Sequence, residues 1–303
     1  MKQEVRVDPT KGDVVIVATR RSKRPQLFKD KKAVCPFDAG NEASTPHTRL
    51  ILPSSKQWKV RSFDNLFAFV SPSNSDKHEH WFDSMPAVGR HEVIVEVRDH
   101  DLQIQDLGVE GLDLIILAYK SRFNELEADP LAKYVYLFKN HGKLAGASIP
   151  HEHSQIVSLN FTPPIIEKKE KHYSEYMKKM KKCFYCTVMR SSPVVFQNKH
   201  FTCVRPPVAR FPFEVWLIPK THCRNMTLLP EREFGLAIKE TVKHLLKVCP
   251  DYNLNYYNAS KSSKDFHFHI ECIPRTTSLA GFELGLGVYI NTQSEWQGAK
   301  KLK

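Results

Sequence analysis

The richest chemistry in this chain sits in five consecutive residues, His151-Glu-His153-Ser-Gln155. On an extended strand, alternate side chains share a face. His151 and His153 are therefore expected to project together, with Glu152 turned away. An imidazole with an ordinary pKa of about 6.5 is largely neutral at pH 7 and keeps a nucleophilic nitrogen. A covalent histidine intermediate divides one difficult group transfer into two easier ones. The preceding loop, Gly142-Lys-Leu-Ala-Gly-Ala-Ser148, is rich in small residues. Its backbone N–H groups can approach an anion closely, which makes Ser148 a candidate substrate contact. Gln155 can donate to a phosphate oxygen as charge shifts in a transition state. If a metal or a carboxylate occupies His151, then His153 is the nucleophile. Upstream, Arg20-Arg-Ser-Lys-Arg24 follows a strand-like Val14–Ala18. It reads either as a solvated basic turn or as a guanidinium clamp on a diphosphate.

A second group of residues has the donor types of metal ligands. Cys183 and Cys186 form a CxxC pair, and His222 and His267 can complete a tetrahedral Cys2His2 zinc site. The bland reading is a reduced CxxC beside two ordinary histidines. The first half offers Cys35, Asp38, His100 and His151 at matching places. A carboxylate also binds zinc, but it is harder and weakens the preference for it. Asp38 could instead simply hydrogen-bond His100 or His151.

These residues recur because the chain repeats itself. GRHEVIVEVRDH, ending at His100, is echoed by RFPFEVWLIPKTH, ending at His222. Each is followed by an amphipathic stretch, 112–126 and 231–247, whose apolar spacing predicts a helix. Two strand-like runs follow each helix: 134–138 and 149–159, then 254–257 and 266–273. Each first run leads to an Asn, Asn140 or Asn258, and each second run carries His-x-His. The predicted fold is α+β, a duplicated strand–strand–helix–strand–strand unit with mainly antiparallel sheets and flanking helices. The expected domains are 1–165, holding the chemically equipped His-x-His, and 166–303, holding a structural metal site. His267-Phe-His269 lacks the glycine loop and the Ser-Gln, so only the first copy looks active.

Composition narrows the function classes. No apolar run reaches the roughly 18 residues of a membrane span, and the first residues lack a signal-peptide core. Seven cysteines, an odd number, speak against a disulfide framework. The expectation is a cytoplasmic protein with no membrane partner. Lys+Arg 45 against Asp+Glu 33 gives a net charge of +12, which favours polyanions such as nucleic acid or phosphorylated small molecules. The lysine-rich 168–182 segment reads as one solvated helix face or linker.

Taken together, these strings resemble the galactose-1-phosphate uridylyltransferase family within the histidine-triad superfamily. The resemblance runs from Arg6-Val-Asp-Pro-Thr-Lys-Gly12 and Cys35-Pro-Phe through Pro86–Val93 and Gly146–Gln155 to Gly281–Asn291. It implies two histidine-triad-like units and a ping-pong reaction. UMP would pass from UDP-glucose to His153 and then to galactose 1-phosphate. It also implies that Arg21, Arg24, Asn140 and Gln155 contact phosphates, that Asn65 lies in the uridine pocket, and that Phe282 and Glu283 hold the hexose. Zinc at both ligand groups and a homodimer with substrates near the subunit interface are implied as well. The chain departs from the family pattern at Asp38 (usually Cys), Glu152 (usually Pro) and Thr277 (usually Lys). Two other readings stand beside the transferase. One is a nucleoside-diphosphate-sugar phosphorylase of the ADP-glucose type, with inorganic phosphate as acceptor. The other is a zinc-scaffolded basic protein that binds nucleic acid, which no recognised nucleic-acid-binding signature supports.

Overall fold

A computed structural model describes residues 3–25, 27–28, 34–73 and 80–303. The chain opens with β1 (Glu4–Val7), β2 (Val14–Val17), β3 (Thr48–Leu52), β4 (Val60–Asp64), β5 (Ser84–Pro86) and β6 (His91–Val95). Then come α1 (Val109–Ala128), β7 (Tyr134–His141), β8 (His153–Leu159), α2 (Pro164–Met180), α3 (Phe184–Ser191), β9 (Val194–Gln197), β10 (Phe201–Val204) and β11 (Val215–Pro219). The remainder is α4 (Glu231–Leu246), β12 (Tyr252–Tyr257), β13 (His269–Pro274), α5 (Gly281–Leu286) and α6 (Glu295–Leu302).

The expected duplication is present. In the first half β4, β6, α1, β7 and β8 follow one another, and the strands lie in the order β4-β6-β8-β7. In the second half β10, β11, α4, β12 and β13 repeat the unit in the order β10-β11-β13-β12. The halves meet where β7 pairs antiparallel with β12, Asn140 opposite Asn253. A single ten-stranded sheet therefore runs through both, and every pairing in it is antiparallel. A three-stranded sheet, β2-β1-β5, sits apart from it.

Both predicted helices form. Ile115, Ile116, Tyr119 and Phe123 of α1 and Phe234, Ile238, Val242 and Leu245 of α4 are buried in one core with Leu137, Leu217 and Leu254 of the sheet. Burying each such side chain contributes about 1.5–3 kcal/mol. The repeated Glu-Val pair has a structural purpose. Glu92 on β6 is fully buried and accepts two hydrogen bonds from Arg122 of α1, at 2.7 and 2.8 Å, and one from Ser62. This fork-to-fork pair fastens the helix to the sheet.

Two expectations are corrected. The His-x-His runs were read as continuous strands from 149 and 266, but β8 begins at His153 and β13 at His269. The first histidine of each pair lies in the turn before the strand, drawn towards the cysteine knuckle of its half. The lysine-rich segment is indeed helix α2, with Lys168, Lys171, Lys178 and Lys179 exposed. Lys169 breaks the solvated face: it reaches inward, pairs with buried Glu271 and lies 3.6 Å from the Tyr257 ring centroid.

Candidate active site and metal centres

The tip of the β6–β8 pairing forms the floor of a cleft whose space, counted together with its opening to solvent, is about 850 Å³. His153 and Gln155 lie on its floor, Phe37 and Phe63 on its apolar side, and Arg21 and Arg24 at its polar side. Asn65, Gly146 and Ser148 also line it. Chain alternation explains the floor: His153 and Gln155 face the cleft, whereas Glu152 and Ser154 face the core.

His153 is poised by its own backbone. Its Nδ1 lies 2.7 Å from the carbonyl oxygen of His151. A carbonyl only accepts, so Nδ1 carries the proton and Nε2 keeps its lone pair. Burial holds the imidazole's pKa down at about 4, so the ring is neutral at pH 7. Phe37 packs edge-on at 5.2 Å between ring centroids. Among the described residues nothing hydrogen-bonds Nε2.

Arg21 donates to the Phe67 carbonyl at 2.8 Å and stacks on Phe69. Burial and the neighbouring Arg24 both depress its pKa. Among the described residues no carboxylate pairs with either arginine. Two guanidinium groups that line one cleft have the charge and fork geometry to receive phosphate oxygens.

The loop differs in detail from the expected cradle. Gly142 and Gly146 adopt φ values of 83° and 86°, where other residues are strained. The amides of Leu144, Gly146 and Ala147 are tied to Asp251, Lys143 and Gly142. Three of the loop's N–H groups are thus spent on its own shape, and Gly146 and Ser148 face the cleft. Asn140 does not line it. It lies within β7, opposite Asn253, and accepts a hydrogen bond from it at 2.8 Å. Phe282 and Glu283 are not brought to it either: Phe282 is exposed on α5, and Glu283 caps that helix's first turn through the Ala280 amide.

Both ligand groups assemble. Cys183, Cys186, His222 and His267 place their donor atoms within 4.8 Å of one another, as do Cys35, Asp38, His100 and His151. The Nδ1 of His267 is 3.4 Å from Cys183 Sγ and 3.5 Å from Cys186 Sγ. Tetrahedral zinc with these donors separates its ligands by about 3.3–3.8 Å, so this soft set fits the ion. In the first group His151 Nδ1 lies 3.0 Å from Asp38 Oδ1 and 3.8 Å from Cys35 Sγ, and His100 Nδ1 lies 2.7 Å from the same oxygen. His151 is therefore engaged, which leaves His153 as the free imidazole. Cys183→Ser is expected to reduce bound metal by one ion per chain and to lower the melting temperature by roughly 5–10 °C, because a structural ion contributes folding energy. Metal analysis and calorimetry check this; an unchanged melt with a chelator would remove the structural role.

The second copy holds its His-x-His in a closed setting. His269 Nδ1 faces the His267 carbonyl at 3.1 Å, the pose of His153. Yet His269 is fully buried, stacked on Tyr185 at 4.0 Å and Tyr257 at 5.2 Å. Lys169 approaches its Nε2 at 3.4 Å. Glu271, in the position of Gln155, is paired with Lys169 and Arg210. A sealed imidazole beside a filled charge network has no room for a substrate.

Sequence reading missed the layer behind β8. Lys139, fully buried, pairs with Glu96 and, at 2.7 Å, with Glu152. Glu152 also contacts His141 at 2.9 Å. Glu96 further accepts from Tyr119 and Ser154. Burial alone would depress Lys139, but the two carboxylates outweigh it and raise its pKa. One signal was available: Val135, Leu137 and Lys139 alternate on the core face of β7, so the lysine needed buried carboxylates.

Comparisons with known proteins place the chain in a family. The model of the galactose-1-phosphate uridyl transferase N-terminal domain matches residues 1–163. The chain is 29% identical to an ADP-glucose phosphorylase of Arabidopsis thaliana, over 95% of this chain and 89% of that one. It is 27% identical to a galactose-1-phosphate uridylyltransferase of Thermotoga maritima, over 99% and 98%. Among solved structures, the Arabidopsis ADP-glucose phosphorylase with bound ADP-glucose superposes with a TM-score of 0.83 at 28% identity, covering 100% of this chain and 98% of that one. A uridylyltransferase superposes with a TM-score of 0.84 at 25% identity, covering 99% and 97%. No described helix is long and apolar enough to cross a membrane. With a family model covering more than half its length, the chain belongs to the galactose-1-phosphate uridyl transferase family and is an enzyme of the nucleotidyltransferase type.

Proposed function

We propose that the cleft transfers a nucleoside monophosphate between a nucleotide sugar and a phosphate-bearing acceptor through His153. The observation that carries this is a neutral, backbone-oriented imidazole in the same cleft as two arginines, with no partner on Nε2 and no carboxylate on either guanidinium among the described residues. The Nε2 lone pair attacks the α-phosphorus of UDP-glucose. An N–P bond forms, the bond to the bridging oxygen breaks, and glucose 1-phosphate leaves with the electron pair. The ring becomes cationic, and its Nδ1–H bond to the His151 carbonyl stabilises that charge. Arg21 and Arg24 offset the charge on the phosphates, and Gln155 donates to a phosphate oxygen. A phosphate oxygen of galactose 1-phosphate then attacks the same phosphorus, and the P–N bond breaks to restore the neutral imidazole.

Zinc belongs to this reading at Cys183, Cys186, His222 and His267, and at Cys35, Asp38, His100 and His151. When bound it supplies a cross-link between each knuckle and its strands. At the first group that cross-link steadies His151, whose carbonyl orients the nucleophile. A homodimer belongs to the reading too. Phe282, Leu284, Leu286, Val288, Tyr289 and Ile290 form an exposed apolar stretch, which a second copy would cover while bringing Phe282 and Glu283 towards the hexose.

A second reading uses ADP-glucose as donor and inorganic phosphate as acceptor. It is favoured by the 29% identity to the Arabidopsis phosphorylase over 95% of this chain. Ser154 does not discriminate between the two, since it is buried against Glu96 and cannot reach the cleft. Incubation with UDP-glucose or ADP-glucose, followed by mass spectrometry, identifies the donor. Release of the label by galactose 1-phosphate or by phosphate identifies the acceptor. No nucleotide on any histidine peptide would end both readings. Arg24→Ala is expected to raise the donor KM by about tenfold, the scale of one charge-assisted hydrogen bond. Steady-state kinetics would show it, and an unchanged KM would remove Arg24 from the phosphate site.

A further inference from the structure

Behind Gln155 lies a buried imidazole that the transfer chemistry does not use. His91 opens β6 and is 2% exposed. Its ring packs against Phe69 at 4.4 Å between centroids, tilted by 51°, and its carbonyl accepts from the Asn65 backbone amide at 2.7 Å. His91 pairs with Val157, and Gln155 with Val93, so the two side chains are diagonal neighbours on the cleft face. The Nε2 of His91 lies 3.0 Å from Gln155 Oε1 and 3.2 Å from Asn65 Nδ2.

The orientation of each partner can be derived. Asn65 Oδ1 accepts from the Phe67 amide at 2.9 Å, so the NH2 group of Asn65 faces Gln155 Oε1 at 3.4 Å. Burial and the nearby Arg21 hold the pKa of His91 at about 3, so its ring is neutral and carries one proton. Among the described residues the buried Nδ1 of His91 has no partner. A proton there would be an orphaned buried N–H, the rarer and costlier arrangement, and Gln155 Oε1 would then face a lone pair. The proton therefore sits on Nε2 and is donated to Gln155 Oε1, and Asn65 Nδ2, itself a donor, is a neighbour that shares this acceptor rather than a partner of the ring. The NH2 group of Gln155, which has no protein partner among the described residues, is left for the cleft.

We propose that His91 is a positioning residue for nucleotidyl transfer: its Nε2–H, with the Asn65 amide, fixes Gln155 so that a donor rather than an acceptor meets the phosphate. This rests on reading the cleft as the transfer site. Without that N–H, half a turn about the amide axis would present Oε1 to an anion and repel it.

The test uses His91→Phe, which keeps the ring and removes the N–H, and His91→Gln, whose amide reaches as far. Each is also placed on a Gln155→Ala background. The readout is the single-turnover rate of His153 labelling by whichever of UDP-glucose and ADP-glucose labels the wild type. His91→Phe is expected to slow labelling about tenfold to a hundredfold, the scale of a hydrogen bond to a charged group. His91→Gln should stay within about threefold of wild type, and His91→Phe should cost nothing further once Gln155 is Ala. Equal losses for Phe and Gln, or additive losses in the double variant, would overturn the proposal while leaving the transfer reading intact. Nitrogen-15 spectra of labelled histidine report the tautomer independently of turnover: a proton on Nδ1 overturns the proposal. A wild-type chain that takes no label overturns the transfer reading itself and, with it, the role of His91.

Discussion

His153→Ala is expected to lower turnover by at least about 10⁴-fold, because without Nε2 no N–P bond forms and the two half-reactions lose their shared intermediate. The effect should fall on kcat, with nucleotide-sugar affinity nearly kept, since Arg21, Arg24 and the aromatic side of the cleft are untouched. The fold should be kept as well. His153 contributes one hydrogen bond to the His151 carbonyl and edge contacts to Phe37, so the melting temperature should change by no more than a few degrees. Labelling by radioactive donor, donor-binding calorimetry and a thermal melt separate the three. A variant that keeps most of its turnover would show that the nucleophile lies elsewhere. The silent copy sharpens the comparison: His269→Ala should leave labelling unchanged, because that ring is sealed beneath Tyr185 and Tyr257.

Lys139→Met is expected to be the most damaging single change to stability. It leaves Glu96 and Glu152, both buried, without the ammonium that separates them. Removing one partner of a buried ion pair costs about 3–5 kcal/mol, which lowers the melting temperature of a chain this size by roughly 6–10 °C. The buried carboxylate is the cause of that loss rather than the missing methylene packing. Adding Glu96→Gln and Glu152→Gln to Lys139→Met should therefore recover most of it. Differential scanning calorimetry of the single and triple variants decides between these causes. Equal melting of the two would show that the lysine's stem, not its charge, was holding the layer. The same layer backs β8, the strand that carries His153. Glu152 and Ser154 point to the core while His153 and Gln155 point to the cleft, so the single variant should also label His153 more slowly.

The residues themselves announced much of this molecule. The duplication was legible because an amphipathic helix and an alternating strand are local patterns, and two copies of the same order of patterns reinforce each other. CxxC spacing and paired His-x-His are likewise short-range features, so both ligand groups could be named residue by residue before their donor atoms were seen to converge. The α+β fold followed from the same kind of information, whereas the Arg20–Arg24 run left a solvated turn and a phosphate clamp both open until the fold laid Arg21 and Arg24 along the cleft.

Long-range register decided the rest. Only the pairing of β6 with β8 puts His91 beside Gln155, 64 positions away in the chain. Only the packing of α2 against β13 drives Lys169 onto Glu271 and His269 and closes the second site. Asn140 and Phe282 carried the right residue types, yet strand pairing with Asn253 and the course of the chain after β13 left both outside the cleft lining. Composition and spacing specify which chemistry a segment can perform. Which imidazole meets solvent and which is entombed depends on what the folded sheet lays against it, because burial and hydrogen-bond geometry are properties of neighbours distant in the chain.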